Sequence, residues 1–119
     1  MIIDGGNAYD ADDTGWIPVE LSAGVVGTVA YRKKKDFIFV RVDVTLTGFA
    51  TGGALRQLSP AGSIPTMYRP DDFTAGHALL DAGYVGSTHI STDGQVNASQ
   101  QSGADRTSID SLITYPSSH

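Results

Sequence analysis

The fold is decided by the stretch Val25-Val-Gly-Thr-Val-Ala-Tyr-Arg-Lys-Lys-Lys-Asp-Phe-Ile-Phe-Val-Arg-Val-Asp-Val-Thr-Leu-Thr-Gly48. From Ile38 to Leu46 every second residue is apolar, and the residues between them, from Phe37 to Thr45, face the other way. A period of two indicates a strand with one buried face. The β-branched and aromatic residues that dominate both runs also suit a pleated surface better than a helix. The stretch therefore predicts a long β-hairpin.

The turn of this hairpin contains every lysine of the chain, Lys33, Lys34 and Lys35. These lysines could contact an anion or a phosphate. We favour a solvated hairpin tip, whose charges discourage edge-to-edge aggregation, because the chain as a whole is acidic.

Composition limits the class of protein. With 119 residues the chain is expected to form one domain, and the net charge of −5 argues against a nucleic-acid-binding surface. Cysteine is absent, so disulfides, thiolate nucleophiles and cysteine zinc sites are excluded. No long apolar run and no basic segment before an apolar one occurs, which predicts a soluble chain without membrane insertion or a signal peptide. The 14 glycines and 5 prolines are typical of short strands with many turns.

The first 12 residues lack periodicity and are interpreted as a lead-in arm or linker, with residues 13–119 as a single β-sandwich head domain. Asp10, Asp12 and Thr14 match the first half of a calcium-binding loop. The rest of the segment does not match, because Leu21 occupies the position at which a calcium-binding loop requires its closing carboxylate. The segments on either side of the loop are also not predicted to be helical. We interpret the segment as a solvated, Asp-rich turn and expect no metal or other cofactor.

Further strands are predicted along the rest of the chain, separated by turn signals. The predicted strands run from Trp16 to Leu21, from Phe73 to Ala82, on both sides of Asp93-Gly94, and from Ser108 to Tyr115. The segment 49–72 is predicted to be an ordered, proline-stiffened loop, and 98–105 a polar loop. Seven or eight short strands without a long helix predict an all-β fold, an antiparallel β-sandwich or jelly-roll-like head.

Six pieces follow one another in a recognisable order over residues 13–116. They are Asp13-Thr-Gly-Trp16, Val29-Ala-Tyr-Arg32 with its charged turn, the strand from Phe37 to Leu46, Leu58-Ser-Pro-Ala-Gly62 with Tyr68-Arg-Pro70, the hairpin from Ile90 to Val96, and Ile113-Thr-Tyr-Pro116. In this order they resemble the C-terminal head domains of phage tail fibres and baseplate receptor-binding proteins. The resemblance rests on the order of the pieces and not on any single one.

The resemblance implies a non-enzymatic head at the tail tip or baseplate of a virion. Such a head is usually trimeric, binds saccharides on the host surface and contacts other phage tail proteins. This chain departs from the family in lacking an upstream coiled-coil or collagen-like stalk, which leaves trimerisation open. The alternatives are a structural tail or baseplate subunit and a glycan-degrading depolymerase fragment. In a homotrimer we expect Phe37 and Phe39 to be covered by the proline-rich loop or by a neighbouring subunit.

Few side chains of this sequence have the chemistry or spacing of an enzymatic or metal site. The three histidines, His77, His89 and His119, are not spaced as a helical metal pair, and the chain has no G-x-S-x-G, P-loop or G-x-G-x-x-G motif. Saccharides are recognised by aromatic faces, Arg and carboxylates on loops of a rigid scaffold. The saccharide-binding candidates are therefore Tyr68, Arg69 and Asp71, followed by His77, Asp81 and Tyr84. Each of these residues could instead be a packing or surface residue.

Overall fold

The structure, a computed structural model, describes residues 13–46, 55–100 and 107–117. The predicted lead-in arm, with Asp10 and Asp12, lies outside the described residues. The described residues form eight strands: β1 (Ile17–Pro18), β2 (Val25–Lys34), β3 (Phe37–Leu46), β4 (Arg56–Ser59), β5 (Thr74–Leu80), β6 (Val85–Ile90), β7 (Val96–Gln100) and β8 (Ser108–Pro116). Two short 3₁₀ turns, Thr66–Tyr68 and Asp81–Gly83, flank β5.

All strand pairs within the described ranges are antiparallel, and they form one sheet in the order β1-β2-β3-β8-β5-β6-β7-β4. The last strand in sequence therefore lies near the centre of the sheet, between β3 and β5. The predicted all-β antiparallel fold is confirmed.

The sheet curls so that its two margins meet. The amide of Ser22, just after β1, donates to the carbonyl oxygen of Leu58 in β4 at 2.8 Å, and Arg56 Nη2 donates to the carbonyl oxygen of Ala23 at 3.1 Å. The curled sheet thus encloses a single core in a sandwich-like arrangement.

The long hairpin forms as its alternation predicted. In β3 the side chains of Ile38, Val40, Val42, Val44 and Leu46 are buried, while the intervening side chains lie on the outer face. Burial of each such aliphatic side chain contributes roughly 1.5–3 kcal/mol, so this one strand is a major source of stability. The largest fully buried side chains elsewhere include Leu58, Ile64, Ile90, Ile109 and Ile113.

The proline-rich segment was only partly predicted. Residues 56–59 form strand β4 instead of continuing the loop. The sequence of this strand does not alternate, because a register shift between Gln57 and Ser59 places two consecutive residues, Leu58 and Ser59, on the buried side. In addition, β1 is shorter than expected, and β7 extends through Gln100 into the segment predicted as a polar loop.

The hairpin through Asp93-Gly94 is confirmed, and it fixes the proline-rich segment. Gly62 N donates to the carbonyl oxygen of Asp93 at 2.8 Å, and Ile64 N donates to that of Gly94 at 3.3 Å. The side chain of Ile64 is fully buried. The segment therefore closes one end of the curled sheet, which we call the proline end. The opposite end holds the Asp81–Gly83 turn and the start of β8.

Candidate functional site

Tyr68, a predicted saccharide-binding residue, lies at the proline end and is half-buried. Its ring centroid is 5.0 Å from that of Tyr31, and its carbonyl oxygen accepts a hydrogen bond from the Tyr115 hydroxyl at 2.6 Å. Burial raises the pKa of Tyr115, so this hydroxyl keeps its proton and remains a donor across the physiological range. The packing of Tyr68 thus closes the core at this end.

Arg69 follows Tyr68 and is also half-buried. Its Nε donates to the carbonyl oxygen of Ile64 at 2.7 Å, and the side chain passes close to Gly94. Arg69 therefore ties the proline-rich segment to the β6–β7 hairpin, and Nε is already engaged. Asp71, two residues on, is exposed.

Asp81 and Tyr84 lie at the opposite end of the molecule. Asp81 Oδ1 accepts hydrogen bonds from the amides of Thr107 at 2.9 Å and Ser108 at 3.4 Å, which fixes the entry into β8. Tyr84 is 46% exposed. Strand β5, Thr74–Leu80, separates these two residues from the proline end by about 20 Å at about 3.3 Å per residue. The predicted residues therefore do not converge on one site.

His77 occupies the middle of β5, on the outer face between the two ends, and is exposed. It borders a shallow depression of about 390 Å³ on the outer face of β5, β6 and β8. The depression is lined by His77, Ala78, Leu79, Val85, Asp110, Ser111 and Leu112. We call it the His77 depression.

The His77 depression combines an apolar surface with polar groups at its edge. Leu79, Val85 and Leu112 are each more than half exposed, an unusual density of large apolar side chains on an outward sheet face. Asp110 supplies a carboxylate whose Oδ1 lies 3.2 Å from Arg41 Nη2, and both side chains remain about half exposed. Apolar atoms flanked by a carboxylate, a guanidinium and an imidazole can pack against the C–H face of a sugar and bind its hydroxyls.

Leu79, Val85 and Leu112 were not among the site residues predicted from the sequence. The sequence pattern nevertheless indicates that two of them face outward: Leu79 lies on the same face of its strand as His77, and Leu112 on the same face as Asp110. Large apolar residues in the outward phase of a strand indicate a surface that contacts something other than water.

The calcium hypothesis concerns Asp10, Asp12 and Thr14. Of these only Thr14 is described, and its hydroxyl donates to the carbonyl oxygen of Gly15 at 2.8 Å and accepts the amide of Lys33 at 3.0 Å. Among residues 13–46, 55–100 and 107–117 no group of three or more potential metal-ligating side chains is found. In the same ranges no helix is long and apolar enough to cross a membrane.

Comparison with known proteins places the fold. No family model matches the chain, and no curated protein matches it. A solved structure does match: the head domain of lactococcal phage bIL170, described among the receptor-binding domains of lactococcal phages. The TM-score is 0.68 at 15% sequence identity, and the match covers 87% of this chain and 97% of that one. The resemblance to phage receptor-binding heads is confirmed at the level of the fold.

Proposed function

We propose that this chain is the receptor-binding head of a phage tail, situated at the tail tip or baseplate of the virion, and that it binds saccharides on the host cell surface without enzymatic activity. The fold match carries the proposal, because it extends over 97% of a receptor-binding head and therefore covers a whole domain, not a shared hairpin.

The outer face supports the same function chemically. The His77 depression presents apolar side chains beside His77, Asp110 and Arg41, all of them reachable from solvent. Each hydrogen bond to a sugar hydroxyl contributes only about 0.5–1.5 kcal/mol net, so a shallow site of this kind binds weakly. The acidic charge of the chain agrees with a neutral or polyhydroxyl ligand and not with nucleic acid.

Weak individual sites favour assembly into a homotrimer, because several linked heads raise the effective concentration of the second and third contacts. Apolar side chains at the proline end support the trimer part of the proposal. Phe37, Met67 and Phe73 are each about half exposed in the single chain, which leaves room for cover of Phe37 by a neighbouring subunit. Phe39 is half-buried. A neighbouring subunit would bury these phenylalanines.

The proposal is tested by adsorption of the labelled protein to a panel of Gram-positive cells, lactococcal strains included. We expect saturable binding to a subset of strains, inhibited by the cell-wall polysaccharide extracted from those strains and unaffected by protease treatment of the cells. Light scattering measures the oligomeric state. A correctly folded trimer that adsorbs to no strain would contradict the receptor-binding role.

Substitutions at exposed positions, which leave the core intact, show which of the candidate residues contribute to adsorption. His77→Ala should weaken adsorption by about three- to tenfold, the loss of one or two hydrogen bonds. Asp71→Asn and Tyr84→Ala test the two ends of β5 in the same assay, and circular dichroism verifies folding. If Asp71→Asn weakens adsorption and His77→Ala does not, the site lies at the proline end.

The same preparations distinguish the two rival functions. Release of reducing sugar from the polysaccharide over time would identify a depolymerase. Absence of cell binding together with stable complexes with other tail proteins would identify a structural subunit.

A further inference from the structure

A second depression lies on the same outer face, near the first margin of the sheet. It has a volume of about 300 Å³, the lower end of the range for small-molecule sites, and is lined by Trp16, Thr28, Ala30 and Arg41. Ala30 is buried and forms its floor, while Trp16 at its edge is 46% exposed. We call it the Trp16 depression.

Trp16 is held in position by a charged clamp. The Arg32 guanidinium carbon lies 5.9 Å from the indole centroid. Arg32 is itself fixed by Asp13, with Nε donating to Oδ1 at 2.8 Å and Nη2 to Oδ2 at 2.6 Å. These hydrogen bonds, with one from the Gly15 amide, hold the pKa of Asp13 well below its usual range, so the clamp stays charged at neutral pH. The indole is therefore oriented before a ligand arrives, which lowers the entropic cost of binding.

The two depressions meet at one ion pair. Arg41 in β3 lines the Trp16 depression, and its partner Asp110 in β8 lines the His77 depression. The register places Arg41 directly beside Ala30 on one side and Leu112 on the other. A row of outward side chains thus runs across the strands from one depression to the other, through Arg41.

A single sugar ring cannot contact both ends of this row. Strands β1, β2, β3, β8 and β5 are consecutive in the sheet, and a spacing of 4.7–4.9 Å gives about 19 Å from the strand after Trp16 to the strand of His77. The Arg41–Asp110 ion pair lies in the middle of the row, where Arg41 can donate hydrogen bonds to sugar hydroxyls and Asp110 can accept them. Because both side chains remain about half exposed, a ligand bound there need not bury an unpaired charge.

We propose that the Trp16 and His77 depressions are one continuous site for a saccharide chain of several units lying across the strands. Trp16 packs on a ring at one end, Leu112 and His77 contact a ring at the other, and the Arg41–Asp110 pair binds hydroxyls between them. This inference rests on the proposed function and specifies its ligand as an extended chain.

The test is isothermal titration of the assembled protein with glucose, galactose, rhamnose and N-acetylglucosamine oligomers of one to six units, together with adsorption to the cells described above. We expect affinity to rise with chain length beyond two units, with one oligomer bound per protomer. Trp16→Ala should weaken binding of the longest oligomer and of cells by about tenfold, while leaving the shorter oligomers nearly unaffected. Val26→Ala is the matched control, because Val26 is 68% exposed on the outward side of β2 and lines neither depression.

The outcomes separate this inference from the proposed function. Wild-type protein that adsorbs to cells, with Trp16→Ala adsorbing equally well, overturns the continuous site and leaves the receptor-binding role intact. Two oligomers bound per protomer, or affinity independent of length, also overturns it. Wild-type protein that binds neither cells nor oligomers refutes the proposed function itself.

Discussion

Gly94→Ala should destabilise the protein far more than Gly62→Ala, although both glycines have nearly the same left-handed backbone angle. Their φ values are +84° and +86°. A residue with a Cβ in this region costs about 1–2 kcal/mol, and both variants incur that cost. At Gly62 an added Cβ meets nothing within 4 Å. The difference in stability between the two variants therefore measures the cost of the contacts that a Cβ at position 94 would make.

At Gly94 an added Cβ would lie 2.5 Å from the carbonyl oxygen of Ile64 and 2.8 Å from Arg69 Nε. Relief of that crowding costs about 1–3 kcal/mol, and loss of the hydrogen bond between Arg69 and Ile64 adds about 1 kcal/mol. We therefore expect Gly94→Ala to be about 2–4 kcal/mol less stable than Gly62→Ala, a difference in Tm of about 8–16 °C.

Urea and thermal unfolding followed by circular dichroism measure both values. Gly83→Ala is a second control, because its φ is +79° and its Cβ also meets nothing within 4 Å. If Gly94→Ala is within about 1 kcal/mol of the two controls, the proline-rich segment relaxes freely, and the structural role given to Arg69 is refuted.

Three further predictions concern buried or charged polar groups. Ser111→Ala should cost about 1–3 kcal/mol in urea unfolding, because Thr88 Oγ1, 2.8 Å from Ser111 Oγ, loses its buried partner and the carbonyl oxygen of His77 loses a donor at 2.7 Å. Adding Thr88→Val should recover the part of that loss that comes from Thr88, and no recovery would contradict it. Burial lowers the pKa of His89 and so favours its neutral form. The contribution of His89 to stability is therefore complete above the unfolded pKa of about 6.5, and it declines as the pH falls below that value. The Tm of His89→Gln should lack this decline between pH 7 and 5. In Arg32→Gln an NMR titration should find the pKa of Asp13 returned towards its ordinary value, and an unchanged value would refute the clamp.

The strands that the sequence predicted well are those whose alternation is uninterrupted. Ile38 to Leu46 and Ile109 to Tyr115 each keep one buried phase, because one face of each strand packs on the core along its whole length and the other faces outward. Strand β4 lacked that signal, since its register shift buries Leu58 and Ser59 together. The order of strands is a tertiary property, and local patterns contain no information that β8 lies between β3 and β5.

The site residues were less predictable for a related reason. Residue type alone placed Tyr68, His77 and Asp81 in one group, whereas the path of β5 separates them along the molecule. Arg69 and Asp81 are the polar types that binding sites use, but backbone groups nearby already engage them. The pairing of Arg41 with Asp110 depends on residues distant in sequence, so only the folded sheet reveals it.

The central place of β8 has a consequence for biosynthesis. Phe37 pairs with Pro116, which is about 80 positions further along the chain. Until residues 108–116 leave the ribosome, the long hairpin and the β5–β7 meander have no strand to join them, and the apolar faces of both remain accessible to chaperones or to other chains. Completion of the sheet therefore waits for residues 108–116, and pairing between residues so distant in sequence slows folding.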